Sequence, residues 1–183
     1  MSAERTPHFL GGTRDEILRR RAESLALEAV EDEVSDRLSI LLFRIADEWY
    51  AVRAGDVREI FQDYDVTALP CTPEFILGVT NVRGEILSVT DPAVLTSLGR
   101  VVGIEGAQPP AVVVTNGTVA TALVVDEIRD IVEVPSSAIE PPVGVVNRAQ
   151  AEFIAGSVFV DGSMVGLLNV ERVLEPVGVS TRH

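Results

Sequence analysis

From Leu38 onward the chain is written in short apolar runs, each closed within a few residues by a turn signal. Runs of about four to eight residues bounded by Gly, Pro, Asn or Asp read as strands, because a helix needs a longer stretch with a 3.6-residue period. Leu38–Ile45 and Trp49–Arg53 flank the turn Ala46-Asp47-Glu48. Ala54–Asp56 reads as a helical turn and Val57–Phe61 as the next strand. Ile76–Val82 and Glu85–Thr90 form a tight hairpin around Arg83-Gly84, the glycine taking the positive-φ position. Ala111–Thr115 and Thr118–Val125 form another around Asn116-Gly117, and Ile154–Val160 pairs with Met164–Asn169 across Asp161-Gly162. Ile128–Val134 is a further strand. Asp91-Pro92 starts a helix placed at 92–98, with aspartate as cap, proline in the first turn and Gly99 as the stop. Residues 100–110 read as a Gly/Pro loop, Pro135 to Gln150 as irregular chain, and Val170–Leu174 as a short last helix. This pattern of about nine or ten short strands predicts a mainly β sandwich or small barrel. Parallel βαβ alternation is missing, which argues against a doubly wound nucleotide-binding fold.

The N-terminal segment is written differently. After a loose tail over 1–12, Thr13-Arg14-Asp15-Glu16 has the form of a capping box. Ile17, Leu18, Ala22, Leu25, Ala29 and Val30 follow at helical spacing, so an amphipathic helix is expected over 14–34. Arg19-Arg20-Arg21 lies near its start and Glu28, Glu31, Asp32 and Glu33 near its end, the reverse of what the helix dipole favours. The expected organisation is a tail and helix over 1–37, a β domain over 38–176 and a tail over 177–183.

Composition narrows the chemistry. With 46% hydrophobic residues in 183, the chain is too apolar to be disordered throughout and long enough for a sizeable core. The net charge is −13 and every basic residue is an arginine. Beyond Arg19–Arg21 there is no cluster for a phosphate backbone, which argues against nucleic acid. His8 and His183 stand at the chain ends, where no packed shell holds a general base, and the absence of lysine removes Schiff-base and phosphate-loop chemistry. No HExxH motif and no Gly-rich nucleotide loop is present, so neither metal nor cofactor is expected. The single cysteine, Cys71, lies between prolines with no basic neighbour and reads as inert. Asp126 and Glu127 are adjacent acids and read as a solvated turn. No run of about 18 apolar residues is long enough for a membrane span, and Met1 to Leu10 lacks an apolar signal core, so a cytoplasmic location without membrane insertion is expected.

Specific residues then carry a resemblance. Phe43-Arg-Ile-Ala-Asp-Glu-Trp-Tyr-Ala-Val52 is followed by Val57-Arg-Glu-Ile60 and by Leu69-Pro-Cys-Thr-Pro-Glu-Phe-Ile-Leu-Gly-Val-Thr-Asn-Val-Arg-Gly-Glu-Ile-Leu-Ser-Val-Thr-Asp91. Over roughly 38–176 the chain resembles the CheW family of chemotaxis coupling proteins, most specifically in its Thr-Pro-Glu-Phe-Ile-Leu-Gly-Val-Thr-Asn-Val-Arg-Gly-Glu-Ile run. Leu123–Val132 and Met164–Leu174 resemble later parts of the family pattern. Two positions depart from it: Ser88 stands where the family has proline, and Pro92 where it has leucine.

The resemblance implies two small intertwined five-stranded SH3-like β-barrels sharing a hydrophobic core. It implies a non-enzymatic adaptor between the cytoplasmic tip of methyl-accepting chemoreceptors and the regulatory domain of a CheA-like histidine autokinase, recruited to membrane-associated arrays. An adaptor of a motility or pilus array is an alternative, and a small-ligand-binding or carboxylate-based β-barrel protein is one of another class. The interface residues implied are Leu41, Val57, Glu59, Gly78, Arg83 and Gly84. Arg83 also reads as an internal salt-bridge partner and Gly78 as a backbone-driven glycine. Trp49 and Phe75 read as core.

Overall fold

A computed structural model describes residues 36–99, 108–142 and 148–180. The helix expected over 14–34, most of the 100–110 loop and the end of the C-terminal tail lie outside the described residues.

The elements are β1 (Arg37–Ile45), β2 (Glu48–Arg53), β3 (Val57–Phe61), β4 (Ile76–Val82), β5 (Glu85–Thr90), α1 (Pro92–Leu95), β6 (Ala111–Thr115), β7 (Ala120–Val124), β8 (Glu127–Pro135), α2 (Arg148–Ala151), β9 (Ile154–Val160), β10 (Ser163–Leu168) and α3 (Val170–Ser180). They build two five-stranded sheets, β8-β1-β2-β10-β9 and β3-β6-β7-β5-β4. Pairing is antiparallel within the hairpins, and β10 runs parallel to β2 as β5 does to β7.

The burial pattern explains why the central strands read as nearly continuous apolar runs. In β1, Ile40 and Leu42 face one core with Ala51, Val134, Val158, Val165 and Leu167, all from the first sheet. The alternate residues Leu41, Phe43 and Ile45 face a second core that also holds Val112, Val114 and Leu123 of the other sheet. Ala111, Val113, Ala122 and Val124 of β6 and β7 turn the opposite way, into a third core with Leu87 and Val89. A strand buried on both faces has no polar face to alternate with. Each sheet therefore has its own interior, and the two share a middle.

Ion pairs show that each sheet curls. β3 and β4 are opposite edges of the second sheet, yet Glu59 of β3 lies 3.0 Å from Arg83 in the β4–β5 turn, and Arg58 lies 3.0 Å from Glu85. In the first sheet, Arg129 on edge strand β8 reaches Asp161 in the β9–β10 turn at 3.6 Å. These are the two intertwined five-stranded barrels expected from the resemblance. The strand after each central hairpin crosses to the other barrel: β3 leaves β1–β2, and β8 leaves β6–β7.

The barrels repeat each other in sequence. Phe75-Ile76, Gly78, Gly84 and Asp91 recur at the same spacing as Phe153-Ile154, Gly156, Gly162 and Asn169, and Val57-Arg-Glu-Ile60 recurs as Ile128-Arg-Asp-Ile131.

Several local expectations change. Asp91 caps α1 as expected, its Oδ1 accepting from the amides of Ala93 and Val94. The helix nevertheless ends at Leu95, because Ser97 takes a φ of 60° and Thr96 Oγ1 donates to the Pro92 carbonyl. β7 starts at Ala120 because Asn116 Oδ1 accepts from the amides of Thr118 and Val119, holding those residues in the turn. The last helix runs on to Ser180, and the stretch expected to be irregular contains α2. Asp126 is not solvated: it is buried, and its Oδ2 accepts from the Ala46 amide at 2.7 Å while its own amide donates to the Arg44 carbonyl. The neighbouring Glu127 pairs with Arg44 at 3.3 Å. The two acids clasp the β1–β2 turn, where Ala46 has a φ of 53°.

Candidate partner-docking surfaces

β3 and the β4–β5 turn carry four of the expected interface residues, Val57, Glu59, Arg83 and Gly84. Val57 is half-buried against the shared core, while Glu59 stands beside Arg83. A register shift between Val57 and Glu59 bends β3 where it pairs with β6. The Arg83 side chain is 85% exposed, so its pair with Glu59 is solvent-screened and leaves donors free for a partner's oxygens. Both turn residues adopt left-handed backbone, Arg83 at φ 52° and Gly84 at φ 90°, and the Gly84 amide donates to Asn81 Oδ1. A turn of this kind favours Asn, Asp or Gly at its first position, so an arginine there costs about 1 kcal/mol.

Two expected interface residues lie elsewhere. Leu41 is 2% exposed and belongs to the shared core, because its place in β1 turns it inward. Gly78 is buried under the β3–β4 loop. A Cβ there would sit 2.3 Å from the Thr67 carbonyl oxygen, and the Thr67 and Val79 amides exchange hydrogen bonds with each other's carbonyls. Gly78 therefore serves close backbone approach, which corrects its placement on a surface. Trp49 and Phe75 are half-buried, and Trp49 packs against the core of the first barrel with the Arg129 guanidinium 5.5 Å from its ring centre. Cys71 is exposed.

Ile60, at the end of the expected Val57–Ile60 edge, is exposed, and further residues not expected from the sequence are exposed with it. Ile86 is exposed next to Glu85, the partner of Arg58, in the second barrel. At the matching positions of the first barrel stand Ile131 and Met164, and Phe159, the cross-strand neighbour of Met164, is 67% exposed. Exposed apolar side chains of this size, Phe159 and Met164 side by side across β9 and β10, mark candidate interaction surfaces. The signal that finds them is the internal repeat, which places Ile131 opposite Ile60 and Met164 opposite Ile86. No helix among the described residues is long and apolar enough to cross a membrane.

Comparison with known proteins agrees with this geometry. The CheW-like domain model matches residues 39–177. The chain is 30% identical over 138 residues to a probable chemotaxis protein CheW of Rhizobium etli, covering 73% of this chain and 85% of that one. It is 32% identical over 136 residues to the protein FrzA of Myxococcus xanthus, covering 73% and 82%. The crystal structure of the scaffolding protein TtCheW from Thermoanaerobacter tengcongensis superposes with a TM-score of 0.65 at 28% identity, covering 72% of this chain and 88% of that one. Two crossed barrels, the Arg83-Gly84 hairpin and a match spanning both halves make this chain a member of the CheW-like domain family.

Proposed function

We propose that the chain is a non-enzymatic, cytoplasmic signalling adaptor that couples chemoreceptors to a CheA-like histidine autokinase. The observation that carries this reading is that each barrel exposes large apolar strand residues, Ile60 and Ile86 in the second and Ile131, Phe159 and Met164 in the first. An adaptor needs two surfaces that bind different neighbours at once, and it transmits state through contacts that differ between two conformations. The Val57–Ile60 edge with Arg83 is assigned to kinase and receptor contact, with Glu59 tuning encounter and specificity from the rim. Family membership supports the partner classes, the regulatory domain of the kinase and the receptor's cytoplasmic tip.

The test is calorimetry of the full chain against the regulatory domain of a CheA-like kinase from the same genome, with the variants Ile60→Asp and Phe159→Asp. Each substitution places a charge in one apolar centre, and loss of about tenfold or more in affinity is expected from at least one of them. Binding unchanged in both variants, with their folds intact, sinks the reading.

A further inference from the structure

Among the exposed apolar residues proposed above as partner surfaces, one side chain carries a nucleophilic lone pair, that of Met164. Strand alternation sends Val165 and Leu167 of β10 into the core of the first barrel and turns Met164 to the other face, where it is 53% exposed. Phe159 of β9 is its cross-strand partner and is more exposed still. Directly opposite residues of an antiparallel pair have Cβ atoms about 5 Å apart, so the thioether and the phenyl ring make one apolar patch. The chain has two methionines, Met1 and Met164. Ile60, Ile86, Ile131 and Phe159, the other exposed strand residues of the two barrels, are hydrocarbons.

Hydrogen peroxide reacts with a thioether in a two-electron step. The sulfur lone pair attacks one peroxide oxygen, an S–O bond forms and the O–O bond breaks. The departing hydroxide takes the proton of the transferred oxygen and leaves as water, so sulfur is oxidised and peroxide reduced. The sulfoxide is polar and accepts hydrogen bonds, and burying it unpaired against a partner carries the desolvation cost of any unpaired polar group. At the matching position of the second barrel stands Ile86, which is also exposed and has no lone pair to offer. Peroxide therefore alters the apolar face of one barrel and leaves that of the other as it was. Among the described residues Met164 belongs to none of the three cores, so its oxidation leaves the packing of both barrels in place.

We propose that Met164 is a reversible oxidation site, through which hydrogen peroxide weakens the partner contact of the first barrel and spares that of the second. The inference rests on the adaptor reading and adds a means of regulation to it. An adaptor that loses one of its two contacts uncouples its neighbours while staying bound to one of them. Reversal is the work of methionine sulfoxide reductases, one for each sulfoxide epimer, acting on an exposed side chain. Cys71, the other exposed sulfur among the described residues, lies in the β3–β4 loop and is removed from the test by substitution.

The full chain carrying Cys71→Ser is treated with hydrogen peroxide, catalase removes the excess, and peptide mapping follows the sulfoxide. Met164 is expected to convert on the timescale of free methionine added to the same solution, with the circular dichroism spectrum unchanged. Untreated and treated chains are then titrated by calorimetry against the regulatory domain of a CheA-like kinase and against a soluble fragment of a receptor's cytoplasmic tip, both from the same genome. One affinity is expected to fall about tenfold and the other to change less than about twofold. Both sulfoxide reductases with dithiothreitol are expected to restore the lost affinity. Met164→Leu is compared only with itself, before and after peroxide, and is expected not to respond. Slow or absent conversion of Met164, unfolding on conversion, an equal fall in both affinities or a fall in neither overturns the proposal and leaves the adaptor reading standing. So does a loss that the reductases do not restore or that persists in the Met164→Leu chain. An untreated chain that binds neither partner defeats the adaptor reading, and this inference with it.

Discussion

The first barrel (β8-β1-β2-β10-β9) and the second (β3-β6-β7-β5-β4) share a strand order, yet they meet the same structural demands with different residues. At the edge hairpin, the first barrel turns on Asp161-Gly162, and Asp161 has a φ of 50°. The second turns on Arg83-Gly84, with the less suitable residue at the same backbone angle. The first barrel is closed by Arg129 on the strand meeting Asp161 in the turn; the second keeps a pair of that sign, Arg58 with Glu85, and adds one of the opposite sign, Glu59 on the strand with Arg83 in the turn. Between the parallel strands, the second barrel buries the hydroxyls of Thr90 and Thr121 and half-buries that of Ser88. Thr121 Oγ1 donates its one hydrogen to the Ser88 carbonyl and accepts from Ser88 Oγ, so Thr90 is the donor in the remaining bond. The first barrel has Tyr50 and Gly166 there, with a cavity beside them. The topology thus constrains where polar groups must be satisfied and where chain must pass close to chain, and leaves open which residues do so. The positions where one barrel keeps a locally unfavourable residue, Arg83 above all, are where function is to be sought.

The largest effect expected concerns what the barrels share. Phe43→Ala, in the shared core, is expected to cost about 3–5 kcal/mol and to lower protection of β1 and β6 together in hydrogen exchange. Leu87→Ala, inside the second barrel, is expected to cost about 2–4 kcal/mol. Separate unfolding of the two barrels in the Phe43 variant would show that they are not one cooperative unit.

Next are the two glycines at matching places. At Gly78 a Cβ meets backbone at 2.3 Å and φ is +149°, so alanine is expected to cost about 3 kcal/mol and to free the loop bridged through Thr67. At Gly156 the nearest obstacle is the Ile139 side chain at 2.7 Å, with the Glu140 carbonyl at 2.8 Å, and no positive φ adds to it. Alanine there is expected to cost about half as much. Thermal melts of the pair check the ranking, and equal losses refute the backbone argument.

The tyrosines give a pH-dependent comparison, since the chain has two, one in each barrel. Burial, then the hydrogen bond from Tyr50 to Glu48 and the charge of Glu48, push the Tyr50 phenol well above its ordinary range; burial alone raises Tyr64. In both cases the folded state holds the proton more tightly than the unfolded chain. The resulting stability is complete below about pH 10, where an unfolded tyrosine starts to ionise, and is lost as pH rises beyond it. Phenolate absorbance is expected to appear for Tyr64 before Tyr50. Tyr50→Phe is expected to flatten the alkaline loss of stability; an unchanged slope counts against this assignment.

The smallest stability effect belongs to the hairpins. Arg83→Asn relieves the turn and loses a screened ion pair, for a net change within about 1 kcal/mol, while affinity for the kinase regulatory domain falls. The matching change in the first barrel, Asp161→Asn, is expected to leave kinase-domain affinity closer to its original value. Equal losses from both would remove the special role assigned to Arg83.

Strand positions were legible because each run is bounded by local chemistry: β4 and β5 fall where the residues on either side of Arg83-Gly84 place them, and Asp91 caps as its side chain predicts. The site was legible only in part. Glu59 and Arg83 meet, but Ile86, Ile131, Phe159 and Met164 were missed, since an exposed apolar residue in a strand looks the same in sequence as a buried one. Leu41 shows the converse. Its neighbours Ile40 and Leu42 are as apolar as it is, and nothing local says that both faces of β1 are covered. Asp126 looked like a solvated acid because the amide it binds, that of Ala46, is distant in the chain.

By itself, then, the sequence determined the mainly β class, the hairpins, the turn residues and the family, because each depends on contacts between residues close in the chain or on a long ordered motif. The tertiary structure alone decided which faces are buried, which acids clasp a turn, how the strands cross between barrels and where a cavity remains. Those outcomes depend on pairings between distant segments, whose loop-closure entropy is offset only once both barrels pack on a common core.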